Sequence, residues 1–226
     1  MPTTKRRKTS SPKRKSSAGK RKPSKKALLL RRQFLKNRII MAVMSALIVI
    51  CLLFVAHEWQ LQKEQRAFAA ANPDEFIEIV GHTAEDLAAK NDLYASVMIA
   101  QAILESDWGQ SQLTREANNL FGVKGEYWGQ SYEVETSEDD GTGKLYTVLA
   151  KFRKYPTYHA SLRDNAKLLA DGLMGAPDFY SGAWKSNTGS YKEATAYLQG
   201  RYATDTNYAN KLDELIEQYN LTRFDK

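Results

Sequence analysis

Eighteen consecutive residues, Ile39 to Ala56 (IIMAVMSALIVICLLFVA), carry no charge. No surface of a water-soluble domain accommodates such a run. As a helix it covers about 27 Å, close to the ~30 Å hydrocarbon core of a bilayer. Lys36 and Arg38 precede it, and His57, Glu58 and Trp59 follow it. An indole suits the bilayer interface. The stretch is longer than the apolar part of a cleaved leader, and no A-x-A-like site follows it. The reading is an uncleaved signal anchor over 39–57. Cys51 lies inside the run after Ile50, not after the small residue that lipid attachment requires, and is read as an apolar filler.

The anchor explains the charge distribution. Residues 1–38 hold 16 Lys/Arg and no Asp/Glu, leaving 17 basic against all 26 acidic residues beyond them, a net of −9. The chain is a basic tail and an acidic body. Dense Lys/Arg on one side only predicts a cytoplasmic N-terminus and a body that lies outside the cell. Ser, Pro and Gly among the charges predict a disordered tail over 1–38. Its expected partner is the anionic lipid of the inner leaflet. It has no interleaved aromatics for stacking bases, so no specific nucleic-acid partner is expected.

Beyond the anchor, residues 58–72 read as a helix-prone juxtamembrane connector and 73–226 as one outer domain. Asn72-Pro73-Asp74-Glu75 is a helix start signal. Gly81 is expected to end or bend that helix, with a second piece over Ala84–Lys90. A buried central helix is expected from Tyr94 to Trp108, stopped near Gly109. Alternation at Tyr132, Val134 and Thr136, a turn-rich Asp139–Gly143 and a second alternating run predict a hairpin. Helices return with Leu162, Ala166, Leu169 and Leu173 on one face, a capping box at Ser190–Glu193, and Leu212, Leu215, Ile216 and Tyr219 on a last helix. The fold class is mainly α with a small β-hairpin lobe.

The chemistry concentrates at QAILESDWGQS, Gln101 to Ser111, an apolar run that ends in an acid. Gln101, Glu105 and Trp108 fall on one helix face by spacing. An indole beside a carboxyl group, at the unfavourable end of a helix dipole, raises its pKa. Such an acid stays protonated and can donate to a leaving oxygen, as glycosidic cleavage requires. The hairpin supplies further acids at Glu133, Glu135, Glu138, Asp139 and Asp140, and Tyr132 and Tyr208 are among aromatics suited to stacking on sugar rings. One cysteine and three scattered histidines carry no metal-ligand spacing, and no nucleotide-binding fingerprint is present. No metal or cofactor is expected.

SVMIAQAILESDWGQS (96–111), NNLFGVKG (118–125), TSEDDG (136–141), KFRKYPTYHASLRDNAKLL (151–169) and YATDTNYANKL (202–212) occur in that order. Together they resemble the endo-β-N-acetylglucosaminidases of glycoside hydrolase family 73, over about Phe76 to Gln218. The resemblance implies a lysozyme-like α+β fold and cleavage of peptidoglycan at the β-1,4 link between N-acetylglucosamine and N-acetylmuramic acid. It implies Glu105 as general acid, Glu138 as second hairpin acid, Tyr202 in the catalytic site, and Asn119 and Phe121 in the loop shaping the cleft floor. Asp107 stands where the family often has a small residue. Two rival readings are a lytic transglycosylase, which uses one acid and no water, and a tethered wall-binding module without turnover. The expected setting is the plasma membrane of a Gram-positive bacterium.

Overall fold

The computed structural model describes residues 24–69, 72–139 and 145–226. It divides into two units, one ending at Ala56 and the other covering His57 to Lys226. Helix α1 (Lys25–Ala69) contains the apolar run and is long and apolar enough to cross a membrane. Residues 25–38 are therefore helical, contrary to the expectation of a disordered tail through Arg38. Ala27, Leu28, Leu29 and Leu30 are good helix formers, and a helix already nucleated in the apolar run extends back through them at little cost. The rest of the expected tail lies outside the described residues.

The outer unit opens with α2 (Pro73–Asn91). Asn72 Oδ1 accepts from the Glu75 N–H at 3.0 Å, and Glu75 Oε2 accepts from the Asn72 N–H at 3.1 Å. This closed capping box occupies two amides that the first turn leaves unpaired. The helix runs unbroken through Gly81, so the expected division into two pieces does not occur. Gly81 has a packing role instead. A Cβ there would lie 2.5 Å from the Phe224 ring. Its bare backbone lets the C-terminal 3-10 turn, Leu221–Phe224, press against the helix.

Helix α3 (Ala95–Ser106) is the centre of the unit. Ala95 to Ile103 are buried without interruption, because α2, the three later helices Tyr158–Asp171, Tyr191–Leu198 and Tyr208–Gln218, and the C-terminal turn all pack on it. It stops at Ser106, earlier than expected. Asp107 and Trp108 both take left-handed conformations (φ 51° and 57°). Ser106 Oγ accepts from the Gly109 N–H at 2.8 Å and holds this reversal in place.

After α4 (Gln112–Ala117), strands β1 (Ser131–Asp139) and β2 (Leu145–Arg153) pair antiparallel, from Ser131 opposite Arg153 to Asp139 opposite Leu145. Helix α5 (Tyr158–Asp171) buries Leu162, Ala166 and Leu169 as expected, but Leu173 is 40% exposed. The helix ends first, at Gly172 (φ 71°), where a Cβ would lie 2.2 Å from the Pro177 carbonyl oxygen. Helix α6 (Tyr191–Leu198) lacks the expected capping box. The Ser190 side chain makes no cap bond, and the Glu193 carboxylate accepts from the Gly189 N–H at 2.8 Å instead. Helix α7 (Tyr208–Gln218) completes the bundle with Leu212 and Ile216 inward.

Gly81→Ala is expected to destabilise the outer unit by about 1–3 kcal/mol through overpacking against Phe224. Thermal unfolding of the detergent-solubilised chain checks this. Adding Phe224→Leu, which removes the opposing ring, should recover part of the loss.

Candidate active site

Glu105 lies one residue before the end of α3, where the buried helix reaches the surface. One turn earlier on the same face is Gln101, fully buried. Between them stands Tyr208, the first residue of α7 and 2% exposed. Gln101 Nε2 donates to the Tyr208 hydroxyl oxygen at 3.1 Å. The Tyr208 hydroxyl donates to Glu105 Oε1 at 2.9 Å. The order of donors matters. The hydroxyl oxygen is already accepting from Gln101, so its hydrogen is directed to the carboxyl group.

An aromatic wall supports this relay. Tyr202 stacks on Tyr208, with ring centroids 6.0 Å apart and planes at 21°, and Tyr180 lies 6.3 Å beyond Tyr202. The Tyr202 hydroxyl donates to Oδ1 of the buried Asn165 at 2.9 Å. Burial holds both phenols well above their ordinary pKa of 10, with the Glu105 charge acting in the same direction. They remain protonated donors.

The Glu105 carboxyl is raised above its ordinary 4.5. Surrounding protein displaces water from it, and the Tyr208 hydrogen bond opposes the shift. Glu105 is nevertheless exposed. The two facts describe one situation, an acid open to solvent on one side and walled by protein on the others. Among the described residues Tyr208 is the titratable group whose hydrogen bond acts on it. The arrangement provides a partly desolvated acid with one oxygen fixed as an acceptor.

Trp108 does not share this face. Because α3 stops at Ser106, the indole turns away and packs edge-on to Phe76 (5.9 Å) and Tyr219 (5.0 Å). The side chain that acts on the carboxyl group is thus Tyr208. Asn119 is buried and spends its side chain on backbone, donating to the Val123 and Arg153 carbonyls and accepting from the Val123 N–H. Phe121 lies in the core beside it. Both fasten the 118–125 loop to the body. Tyr132, on β1, accepts from Gln112 Nε2 at 3.1 Å. Glu138 stands on β1 opposite Tyr146, and its side chain lies outside the described residues. Asp107 is exposed at the helix reversal.

Sequence reasoning missed Asn165 and Tyr180. Asn165 had a signal, a polar residue on the inward α5 face between Leu162 and Leu169. Among the described residues no group of three His, Cys, Asp or Glu could hold a metal ion. A cavity of about 420 Å³ bordered by Phe68, Arg115, Asn118, Lys154 and Tyr155 does not include Glu105. Its asparagine already donates to the Tyr155 carbonyl and its Arg115 to the Gln110 carbonyl.

Residues 81–221 match the glucosaminidase family, described as mannosyl-glycoprotein endo-beta-N-acetylglucosaminidase. The chain belongs to this family. It is 51% identical over 156 residues to the autolysin of Enterococcus faecalis, covering 68% of this chain and 21% of that protein. It is 45% identical over 184 residues to a probable N-acetylmuramidase of Lactococcus lactis, covering 80% of this chain and 42% of that one. The chain thus spans less than half the length of either relative. Among solved structures, the catalytic domain of the autolysin Auto from Listeria monocytogenes superposes with a TM-score of 0.65 at 48% identity, over 74% of this chain and 96% of that domain. The glucosaminidase fold is therefore the mainly helical body with its two-stranded lobe, and the match includes α3, the hairpin and α7.

A raised carboxyl pKa in this glucosaminidase domain has a stability cost. The native state binds the Glu105 proton more tightly than the unfolded chain does, so the benefit is complete below pH 4.5 and is lost as pH rises through the raised value. Glu105→Gln is expected to melt above the wild type at pH 7. That gain should shrink as the pH is lowered to 4.5, which a pH series of thermal melts measures.

Proposed function

We propose that this glucosaminidase is a membrane-tethered peptidoglycan hydrolase, an endo-β-N-acetylglucosaminidase acting on glycan strands outside the cell. The Gln101–Tyr208–Glu105 relay carries the reading. Family membership and relatives named autolysin support the substrate class.

Glu105 is the general acid. With Oε1 accepting from Tyr208, the proton resides on Oε2 and is donated to the glycosidic oxygen. The bond from C1 to that oxygen breaks, its electron pair goes to the leaving oxygen, and positive charge develops on the N-acetylglucosamine ring. The Tyr208 hydrogen bond remains on Oε1 and stabilises the carboxylate that forms. This is stabilisation of charge where it develops. Water then attacks C1, and its proton passes to a base. Glu138 fills that role if the carboxyl groups stand about 6.5–9.5 Å apart, giving inversion. Attack by the substrate's own N-acetyl oxygen is the alternative second half. Tyr202 orders Tyr208 by stacking, and Tyr132 offers the hairpin face of the groove.

The tether confines the enzyme to wall near the membrane and raises its effective concentration there. The basic N-terminal segment rests on the anionic inner leaflet. The Enterococcus and Lactococcus relatives come from Gram-positive bacteria, in agreement with a wall-facing outer domain.

Mass spectrometry of peptidoglycan digested by the full chain is expected to find reducing N-acetylglucosamine ends. Reducing N-acetylmuramic ends would establish a muramidase, and anhydro-muramic ends a lytic transglycosylase. Glu105→Gln should lower turnover by a factor of about 10²–10⁴. Tyr208→Phe should lower it by about 10–100-fold, since a hydrogen bond to a charged group is lost. That bond lowers the Glu105 pKa, so its loss should move the alkaline limb of the pH–rate profile to higher pH. An N-terminal epitope should be reachable by antibody only after the membrane is permeabilised, and the C-terminus in intact wall-stripped cells.

A further inference from the structure

Tyr127, Trp128, Gly129 and Gln130 form a tight turn at the root of the hairpin. The Tyr127 N–H donates to the Gln130 carbonyl and the Gln130 N–H to the Tyr127 carbonyl, both at 2.9 Å. The central residues have φ of 50° at Trp128 and 76° at Gly129. Two successive left-handed residues define the turn type that Asn-Gly or Asp-Gly fills most readily. A bulky aromatic residue at positive φ is an outlier in that setting. Its indole is not buried in return, for Trp128 is 87% exposed.

Two successive ring contacts, one stacked and one tilted, brace the indole. Trp128 lies on Tyr127, with centroids 4.9 Å apart and planes at 23°. Tyr127 leans on Tyr155 at 4.7 Å. Tyr155 is 2% exposed and donates its hydroxyl to Asp164 at 2.6 Å, and Asp164 in turn pairs with Arg153. One face of a flat ring is thus presented to solvent on a braced foundation.

We propose that Trp128 is a sugar-stacking platform that binds a pyranose ring of the glycan strand, a contact separate from the Glu105 relay. The proposal rests on the glycan-hydrolase reading above. The C–H groups on one face of a β-linked pyranose carry partial positive charge and meet the negative face of the indole π-system. The ring's hydroxyls project sideways, where Glu126 and Gln130 are exposed. A tryptophan braced from below loses little conformational freedom on binding. A protein partner fits less well. A stable protein interface buries about 800 Å² per side around an apolar centre, whereas Trp128 is flanked by Glu126, Gly129 and Gln130.

The experiment compares the full-length wild type with Trp128→Asn, Trp128→Tyr and Glu105→Gln in detergent. Readouts are kinetics on insoluble peptidoglycan and on a chitotetraose-sized soluble fragment, together with thermal melting. Asparagine suits the left-handed turn position, so Trp128→Asn should melt at or above the wild type. Its half-saturating concentration of insoluble peptidoglycan should rise about tenfold, with the loss in KM more than in kcat and larger for the polymer than for the fragment. Trp128→Tyr, which keeps a flat ring, should recover much of the affinity. An unchanged KM for Trp128→Asn beside an inactive Glu105→Gln would refute the platform and leave the hydrolase standing. A clear drop in melting temperature with kinetics intact would make Trp128 structural. A fully active Glu105→Gln would instead remove the hydrolase reading on which it rests.

Discussion

The hydrogen bond from Tyr208 to Glu105 joins residues 103 positions apart, and it exists only because α3 and α7 pack side by side. It sets a condition on everything around it. A carboxyl group partly removed from water tends to take up a proton, and a hydroxyl that donates to it must itself be anchored. Gln101 anchors the hydroxyl from within the core, Tyr202 fixes the ring by stacking, and Asn165 holds Tyr202 from α5. Four segments of the outer unit therefore converge on one carboxyl oxygen. On the proposed reading, the other oxygen carries the proton for a substrate.

Such convergence requires backbones to approach closely and helices to stop on time. Gly81 admits the Phe224 ring against α2 where any side chain would collide. Gly172 turns the chain past the Pro177 carbonyl and ends α5 before Leu173 can follow its face inward. The left-handed pair Asp107–Trp108 ends α3 just after Glu105, so the acid sits at the rim of the core rather than inside it. The same reversal sends Trp108 to Phe76 and Tyr219, where it closes the gap between α2 and α7.

These devices mark where reading from sequence succeeded and where it failed. The Asn72 cap was legible because its partners lie within three residues. The hairpin was legible from alternation, and the buried α3 from an unbroken apolar run. Gly81 misled because local propensity counts a mid-helix glycine as a break, while its cause, Phe224, lies 143 positions away. The Ser190–Glu193 capping box misled because Glu193 found the Gly189 amide instead. Trp108 misled because i, i+3 spacing holds only while the helix continues. Asn119 was singled out as part of the loop that shapes the cleft floor; that its side chain bonds the Val123 and Arg153 backbone was not legible, because Arg153 lies 34 positions away.

From sequence alone came what depends on neighbouring residues or on total composition: an apolar span of membrane length, the opposite charges of the two ends, the helical class with one hairpin, and an acid at the end of a buried helix. Residue-by-residue likeness carried the family. What only the tertiary structure decided is which groups surround that acid. Tyr208, Gln101, Tyr202 and Asn165 come from three helices and a connection, and no local pattern encodes their meeting. The direction of the Tyr208 hydroxyl, and so which oxygen of Glu105 accepts from it, follows from packing between elements distant in the chain.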